Sequence, residues 1–347
     1  MICSVDELQK YLKLTDSERR WFSSKSKSFP FLVTPYYLSL IDPDNPNDPI
    51  RRQVIPLSEE FLNSKGESLD PQRENSYSVL PNLVHRYDNR AALLLTNKCA
   101  TNCRHCFRRR YTSEEDIIIS EKELKSVLSY LKDNLQIKEL LLTGGDPLTL
   151  SDQKLDNIIG LIREARKDIV LRLGSRVVVT APKRITESLV SMLRKYNKAA
   201  LYLLTQFNHP KELTKESLEA VSLFIDNGIP VLNQCVLLRG VNDDVTTLET
   251  LMNSLVANRI KPYYLFQGDL VSGTAHLRVP LKRGLELEYQ LRKRLSGLAM
   301  PQYAVDLPKG GGKVSLGRSY LKDNDENGNY CFETMEGERR IYSDPTC

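Results

Sequence analysis

From Ala91 onward, short β-rich apolar runs alternate with longer stretches whose apolar residues recur at helical spacing. The runs at 92–96, 138–143, 169–173, 199–205, 230–238 and 261–267 predict strands, and 120–134, 151–166, 185–196, 213–227, 245–258 and 281–296 predict helices. Ser120, three residues ahead of Glu123, has capping-box spacing at the first of these helices, and Ser151 is placed to cap the second. Strands alternating with helices build βαβ units around a parallel sheet. Six repeats, with no GxGxxG after any strand, favour a partial (β/α)6 TIM-type barrel over a dinucleotide-binding sheet. The fold class expected is therefore α/β. Residues 1–85 read as a mostly helical appendage with few chemical signals, 86–300 as the barrel, and 301–347 as a loop and C-terminal extension.

In a parallel barrel, reactive side chains gather at the C-terminal ends of the strands, and the conspicuous polar segments fall there. Cys99, Cys103 and Cys106 follow the first strand, Gly144-Gly145-Asp146 the second, Gly174-Ser175-Arg176 the third, and Gln206-Phe207-Asn208-His209 the fourth; Asp269 lies just past the sixth. Three thiolates are one short of the four that a [4Fe–4S] cluster normally takes, which leaves one iron open to another ligand. Zinc is the alternative, with His105 as a fourth ligand, but no second CxxC or HxxxH follows. Near the end, Pro308-Lys309-Gly310-Gly311-Gly312-Lys313 lacks the spacing of a nucleotide phosphate loop. Its lysine is either a solvated loop residue or one that bonds to a carbonyl cofactor.

Composition narrows the partners. The chain has 347 residues, 41% hydrophobic and 27% charged, with a net charge of +5. So small a surplus suits anionic small ligands at least as well as nucleic acid, and Arg108-Arg109-Arg110 has little of the aromatic interleaving of a nucleic-acid surface. No apolar run approaches the ~18 residues of a membrane span. Acidic residues come early and no apolar leader core is seen, so the cytoplasm is the expected compartment. Seven cysteines, three of them at metal spacing, do not make a disulfide framework; Cys3, Cys235, Cys331 and Cys347 read as free thiols.

The CxxxCxxC motif after the first strand, with Gly-Gly-Asp one βα unit later, resembles the radical S-adenosylmethionine superfamily. Further blocks are similar to the lysine 2,3-aminomutase family. They are Val84-His85-Arg86-Tyr87-Asp88-Asn89-Arg90, Cys103-Arg104-His105-Cys106-Phe107-Arg108, Phe207-Asn208-His209-Pro210, Asn233-Gln234-Cys235-Val236, and Val305-Asp306-Leu307-Pro308 with its glycine loop. This resemblance implies that Cys99, Cys103 and Cys106 hold a [4Fe–4S] cluster whose open iron chelates S-adenosylmethionine. Gly144, Gly145, Asp146 and Gln234 would lie against S-adenosylmethionine. Lys313 would bond to pyridoxal 5′-phosphate, with Arg86, Tyr87 and Arg90 around its phosphate and ring. Arg108 would take the α-carboxylate of L-lysine, and Asp269 and Asp306 its ε-ammonium. The implied reaction moves the amino group from C2 to C3. The implied partners are L-lysine, a low-potential electron donor such as flavodoxin or ferredoxin, and further copies of the chain, without nucleic acid or membrane.

Two branches of the family fit. One makes (R)-β-lysine for elongation factor P. The other is a stand-alone enzyme making (S)-β-lysine. Position 244 is Asp where clostridial-type enzymes place a zinc-binding cysteine, and Gln206 stands where they have histidine. Chain length, the missing zinc cysteine and the Cys106-Phe107-Arg108-Arg109 block lean towards the first branch, while His105 and the longer arginine run lean towards the second. Cluster and zinc are separated by colour. Protein purified without oxygen is expected to be brown, with broad visible absorption and stoichiometric iron; colourless protein carrying zinc alone would contradict the cluster.

Overall fold

Parallel strands covered by helices on one side and packed side chains on the other must be apolar on both faces, and the strands at the centre of this chain are. A computed structural model describes residues 1–25, 29–112, 117–326 and 328–345. The main sheet has ten strands in chain order: β1 (Ser78–Leu80), β2 (Leu83–Tyr87), β3 (Arg90–Thr96), β4 (Glu139–Gly144), β5 (Val170–Gly174), β6 (Leu201–Thr205), β7 (Val231–Leu237), β8 (Lys261–Gln267), β9 (Gln302–Leu307) and β10 (Gly312–Ser315). Each pair from β3/β4 to β8/β9 is parallel, whereas β1/β2, β2/β3 and β9/β10 are antiparallel. The order runs open from β1 to β10, so the barrel is partial, as its sequence pattern predicts.

The crossover helices form where the 3.6-residue pattern places them. Glu121–Asp133 buries Leu124, Val127 and Leu131; Asp152–Ala165 buries Leu155, Ile158, Ile159 and Ile162. Each such side chain contributes about 1.5–3 kcal/mol on leaving water. Ser120 and Glu123 complete the expected capping box, and Ser151 accepts from the Lys154 amide. Strand β7 shows how the barrel sorts its faces. Val231, Asn233, Cys235 and Leu237 are buried, while Gln234 and Val236, on the alternate face, line the internal cavity.

The expected domain limits need correction. The limit at residue 85 cuts through β2, and the one at 300 separates β9 from the sheet in which it pairs with β8. The glycine segment is part of a hairpin, β9–β10, in which Lys313 stands opposite Asp306. The seventh parallel strand escaped notice because Gln302-Tyr303-Ala304-Val305-Asp306-Leu307 sets Tyr303, Val305 and Leu307 on one face and Gln302 and Asp306 on the other, and so makes no continuous apolar run of the kind that marks the central strands. Past the hairpin, β11 (Leu321–Asn324), β12 (Asn329–Glu333) and β13 (Arg339–Ser343) form a separate antiparallel sheet. Cys3, Cys235 and Cys331 carry free thiols; Cys347 lies outside the described residues. No helix among the described residues is long and apolar enough to cross a membrane.

The N-terminal segment is not chemically idle. Short helices at Asp16–Ser23, Pro35–Ser39 and Pro49–Val54 bring it under the cysteine loop. There the Asn102 amide donates to the Leu32 carbonyl at 2.8 Å and the Arg104 amide to the Gln53 carbonyl at 2.8 Å. Arg104, inside the cysteine motif, is fully buried. Its guanidinium lies 4.6 Å from the Phe29 ring centre, and Nε donates to Glu60 at 2.7 Å. Glu60 also accepts from Arg109 at 2.5 Å, and these two arginines hold its carboxyl below the usual range against the opposing effect of burial. Breaking a buried ion pair from one side costs about 3–5 kcal/mol. Glu60→Leu is therefore expected to lower unfolding free energy by that order in urea titrations. A loss below about 1 kcal/mol, the scale of a surface pair, would show that the arginines find other partners.

Candidate active site

A cavity of about 540 Å³ opens inside the barrel at the C-terminal ends of its strands. Its lining includes Cys99, Cys103, Cys106, Gly144, Gly145, Asp146, Gln234, Arg86, Tyr87, Arg90, Arg108, Asp269, Asp306 and Lys313. Every candidate site residue named from the sequence is thus brought together, from segments more than two hundred residues apart.

The cysteine loop is held against β4 by two glycines that no other residue could replace without rearrangement. A Cβ on Gly144, which has φ of +116°, would lie 2.4 Å from the Thr96 carbonyl oxygen; one on Gly145 would lie 2.3 Å from that of Lys98. These contacts are backbone to backbone, so nothing flexible can yield. The Asp146 amide donates to the Lys98 carbonyl at 2.7 Å, and the Asp146 carboxylate accepts from the amides of Leu148 at 3.0 Å and Arg176 at 2.7 Å. Burial, which outweighs these hydrogen bonds, raises the Asp146 carboxyl to about 6.

Burial, with a smaller contribution from Cys103, pushes the Cys106 thiol up to about 11. Burial and the neighbouring Asp146 carboxylate push Cys99 well above its ordinary range. Both thiols stay protonated until a cation arrives, and coordination removes such protons outright. Among the described residues no three His, Cys, Asp or Glu side chains converge as the ligands of one ion would. A four-iron cluster asks something different, because its irons sit at separate corners and each takes its own thiolate. Three soft donors on one cavity wall, with room beside them, fit that group.

The opposite wall fits a phosphorylated aldehyde. Arg86 Nη2 is buried and finds no hydrogen-bond partner among the described residues. Arg90 stacks 3.7 Å from the Tyr87 ring centre, and the Tyr87 hydroxyl accepts from the Lys313 amide at 3.1 Å. An unsatisfied guanidinium N–H, with a second guanidinium over the same Tyr87 ring, suits a dianionic phosphate. Lys313 Nζ lies 2.6 Å from Asp306 Oδ2 and 3.9 Å from the Phe266 ring centre, facing the cavity.

Between the walls sit the charged groups. Asp269 is raised to about 7, mainly by burial and next by Asp306, and it accepts from Gln72 Nε2 at 3.2 Å. Arg108 is gripped by Glu74, with Nε at 2.8 Å and Nη2 at 2.7 Å, while Nη1 donates to Thr143 at 3.0 Å. Gln72, Glu74, Tyr77, Tyr264 and Phe266 also line the cavity, and sequence reasoning missed them all. The first three come from the appendage, where no motif or periodicity marks them; the two aromatics lie on β8 and read as ordinary core. Gln206 donates to His105 Nε2 at 2.8 Å, and burial keeps that imidazole neutral. Asp244 caps the helix Val245–Ala257 by accepting from the Thr247 amide at 2.8 Å.

A partial barrel whose first strand feeds three cysteines into the cavity, with a glycine pair on the next, is the arrangement of a radical S-adenosylmethionine enzyme. Residues 93–251 match the family model described as the radical SAM superfamily. An L-lysine 2,3-aminomutase of Acetoanaerobium sticklandii is 42% identical over 342 residues, covering 99% of this chain and 82% of that one. One from Bacillus subtilis is 39% identical over 99% of this chain and 72% of its own. A glutamate 2,3-aminomutase of Clostridioides difficile is 41% identical over 92% of this chain and 75% of its own. The chain belongs to the lysine 2,3-aminomutase family of radical isomerases. Membership implies a [4Fe–4S] cluster, S-adenosylmethionine and pyridoxal phosphate as cofactors. For the last of these, Lys313→Ala is expected to abolish the borohydride-trapped pyridoxyl adduct that peptide mapping finds in the parent protein; an adduct persisting on another lysine would refute the assignment of Lys313.

Proposed function

We propose that the protein interconverts L-lysine and β-lysine. The observation that carries this reading is the pairing of Asp269 with Asp306 in a cavity that also holds Arg108 and Lys313. Two carboxylates facing one space are costly unless a cation joins them. The ammonium of a lysine side chain meets that demand, and the carboxylate of a glutamate side chain would worsen it. Glutamate is the competing substrate because a glutamate-specific relative is nearly as similar as the lysine enzymes.

On this reading Arg108 binds the α-carboxylate, pre-oriented by Glu74 and Thr143, while Asp269 and Asp306 bind the ε-ammonium. Fixing both ends of a flexible substrate places C3 in one position, and orientation of this kind is a large part of what a protein adds to radical chemistry. Asp306 holds the Lys313 ammonium at 2.6 Å and exchanges that partner for the substrate's own ammonium. Cys99, Cys103 and Cys106 hold the cluster, Gly144, Gly145, Asp146 and Gln234 border S-adenosylmethionine, and Arg86, Tyr87, Arg90 and Lys313 hold pyridoxal phosphate. When bound, these groups together supply a one-electron route to hydrogen abstraction and a π-system that spreads the unpaired electron. We also assign the product to the (R) series, destined for elongation factor P, on the Cys106-Phe107-Arg108-Arg109 block and the missing zinc cysteine. A low-potential donor such as flavodoxin or ferredoxin supplies the electron, and the working form is a homo-oligomer.

The test is an anaerobic assay of the reduced enzyme with lysine and with glutamate, resolving product regiochemistry and hand. β-Lysine is expected; β-glutamate would overturn the substrate, and an (S) product would overturn the pathway. A cation needs Asp269 ionised, so kcat/KM for lysine should fall as pH drops through about 7. Asp269→Asn should remove that limb and lower kcat/KM by about 10- to 100-fold, the worth of a charge-assisted hydrogen bond.

A further inference from the structure

We propose that Arg176 is a positioning residue that raises the electron affinity of the cluster by hydrogen-bonding to the sulfur of Cys103. The inference rests on the reading of the three cysteines as cluster ligands. Arg176 follows β5, outside the cysteine motif, and the aminomutase chemistry above assigns it no role. Its Nη1 lies 2.8 Å from Cys103 Sγ. The rest of the guanidinium is fully engaged. Nε donates to the Gln206 carbonyl at 3.1 Å, and Nη2 lies 2.6 Å from both Gln53 Oε1 and Glu212 Oε1 and 2.9 Å from the Tyr37 hydroxyl. Asp146 fixes its backbone amide.

That clamp is drawn from four places in the chain and is almost wholly buried, Glu212 and Gln53 completely so. A side chain held so firmly cannot turn away when the cavity fills. It therefore keeps a fixed N–H and a fixed positive charge against one cluster-ligating sulfur. Hydrogen bonds to the sulfurs and local charge are among the levers that set cluster potential. When a one-electron donor reduces the cluster, one electron enters, no bond breaks and no proton is required. A cation already in place at a ligand sulfur offsets the added charge and favours the reduced form. Glu212 neutralises part of that charge from the far side, which moderates the effect while holding the geometry.

The experiment compares full-length parent, Arg176→Lys and Arg176→Met after anaerobic reconstitution with iron and sulfide. Iron content and circular dichroism establish loading and folding. Dithionite titration followed by electron paramagnetic resonance gives the midpoint potential. The potential should move to more negative values in both variants, further in Arg176→Met, which loses both charge and donor, than in Arg176→Lys. An unchanged potential in whichever variant loads would overturn the proposal. Folded variants that both fail to take up cluster would also overturn it, making Arg176 a residue of assembly. A parent protein that takes up no cluster would instead defeat the reading of the cysteines, so the two failures are distinguishable.

Discussion

A guanidinium placed inside a metal-binding loop must either reach water or find a buried anion, and Arg104 finds Glu60. It sits between Cys103 and Cys106 with no exposed surface, so the conformation of the cysteine loop is tied to a carboxylate more than forty residues earlier. The same carboxylate neutralises Arg109, which orients the run that carries Arg108. The isolated desolvation cost of these ions is large, and only their mutual pairing makes the arrangement stable. The appendage is therefore not a separable decoration. Without its glutamate, the loop that presents three thiols would carry two uncompensated charges into the core.

Charge is balanced across the cavity in the same way. The cavity lining holds Arg86, Arg90 and Arg108 together with Asp269 and Asp306, with Lys313 paired to Asp306 and Arg108 to Glu74. A ligand with an acidic and a basic end complements groups of both signs, and a dianionic phosphate complements the remaining arginines. The near-neutral titration of Asp269 is the electrostatic cost of holding two carboxylates together out of water.

The barrel makes this economy possible. Each βα unit can present one loop to the cavity while its strand and helix serve only packing. The apolar runs of β3 to β6 and the aliphatic faces of the crossover helices are therefore insensitive to the chemistry above them. Gly144 and Gly145 at the end of β4 are the exception, because they set how closely the cysteine loop approaches the sheet.

The chain pattern by itself determined the alternation of strands and helices, because the two periodicities differ and the buried faces are long. It also determined the cysteine and glycine motifs, whose chemistry depends on residue type and local spacing. From local pattern Lys313 was legible only as a lysine in a glycine loop, and its place on a strand facing Asp306 was not, since β9 makes no continuous apolar run and β10 is a four-residue strand built on the glycine segment. Arg176 was legible as a polar residue past a strand end but its sulfur partner was not, and Glu60, Gln72 and Glu74 were decided by tertiary structure alone. Their roles come from which opposite charge or sulfur lies within about 3 Å after folding, and no local pattern encodes a partner that arrives from a distant segment.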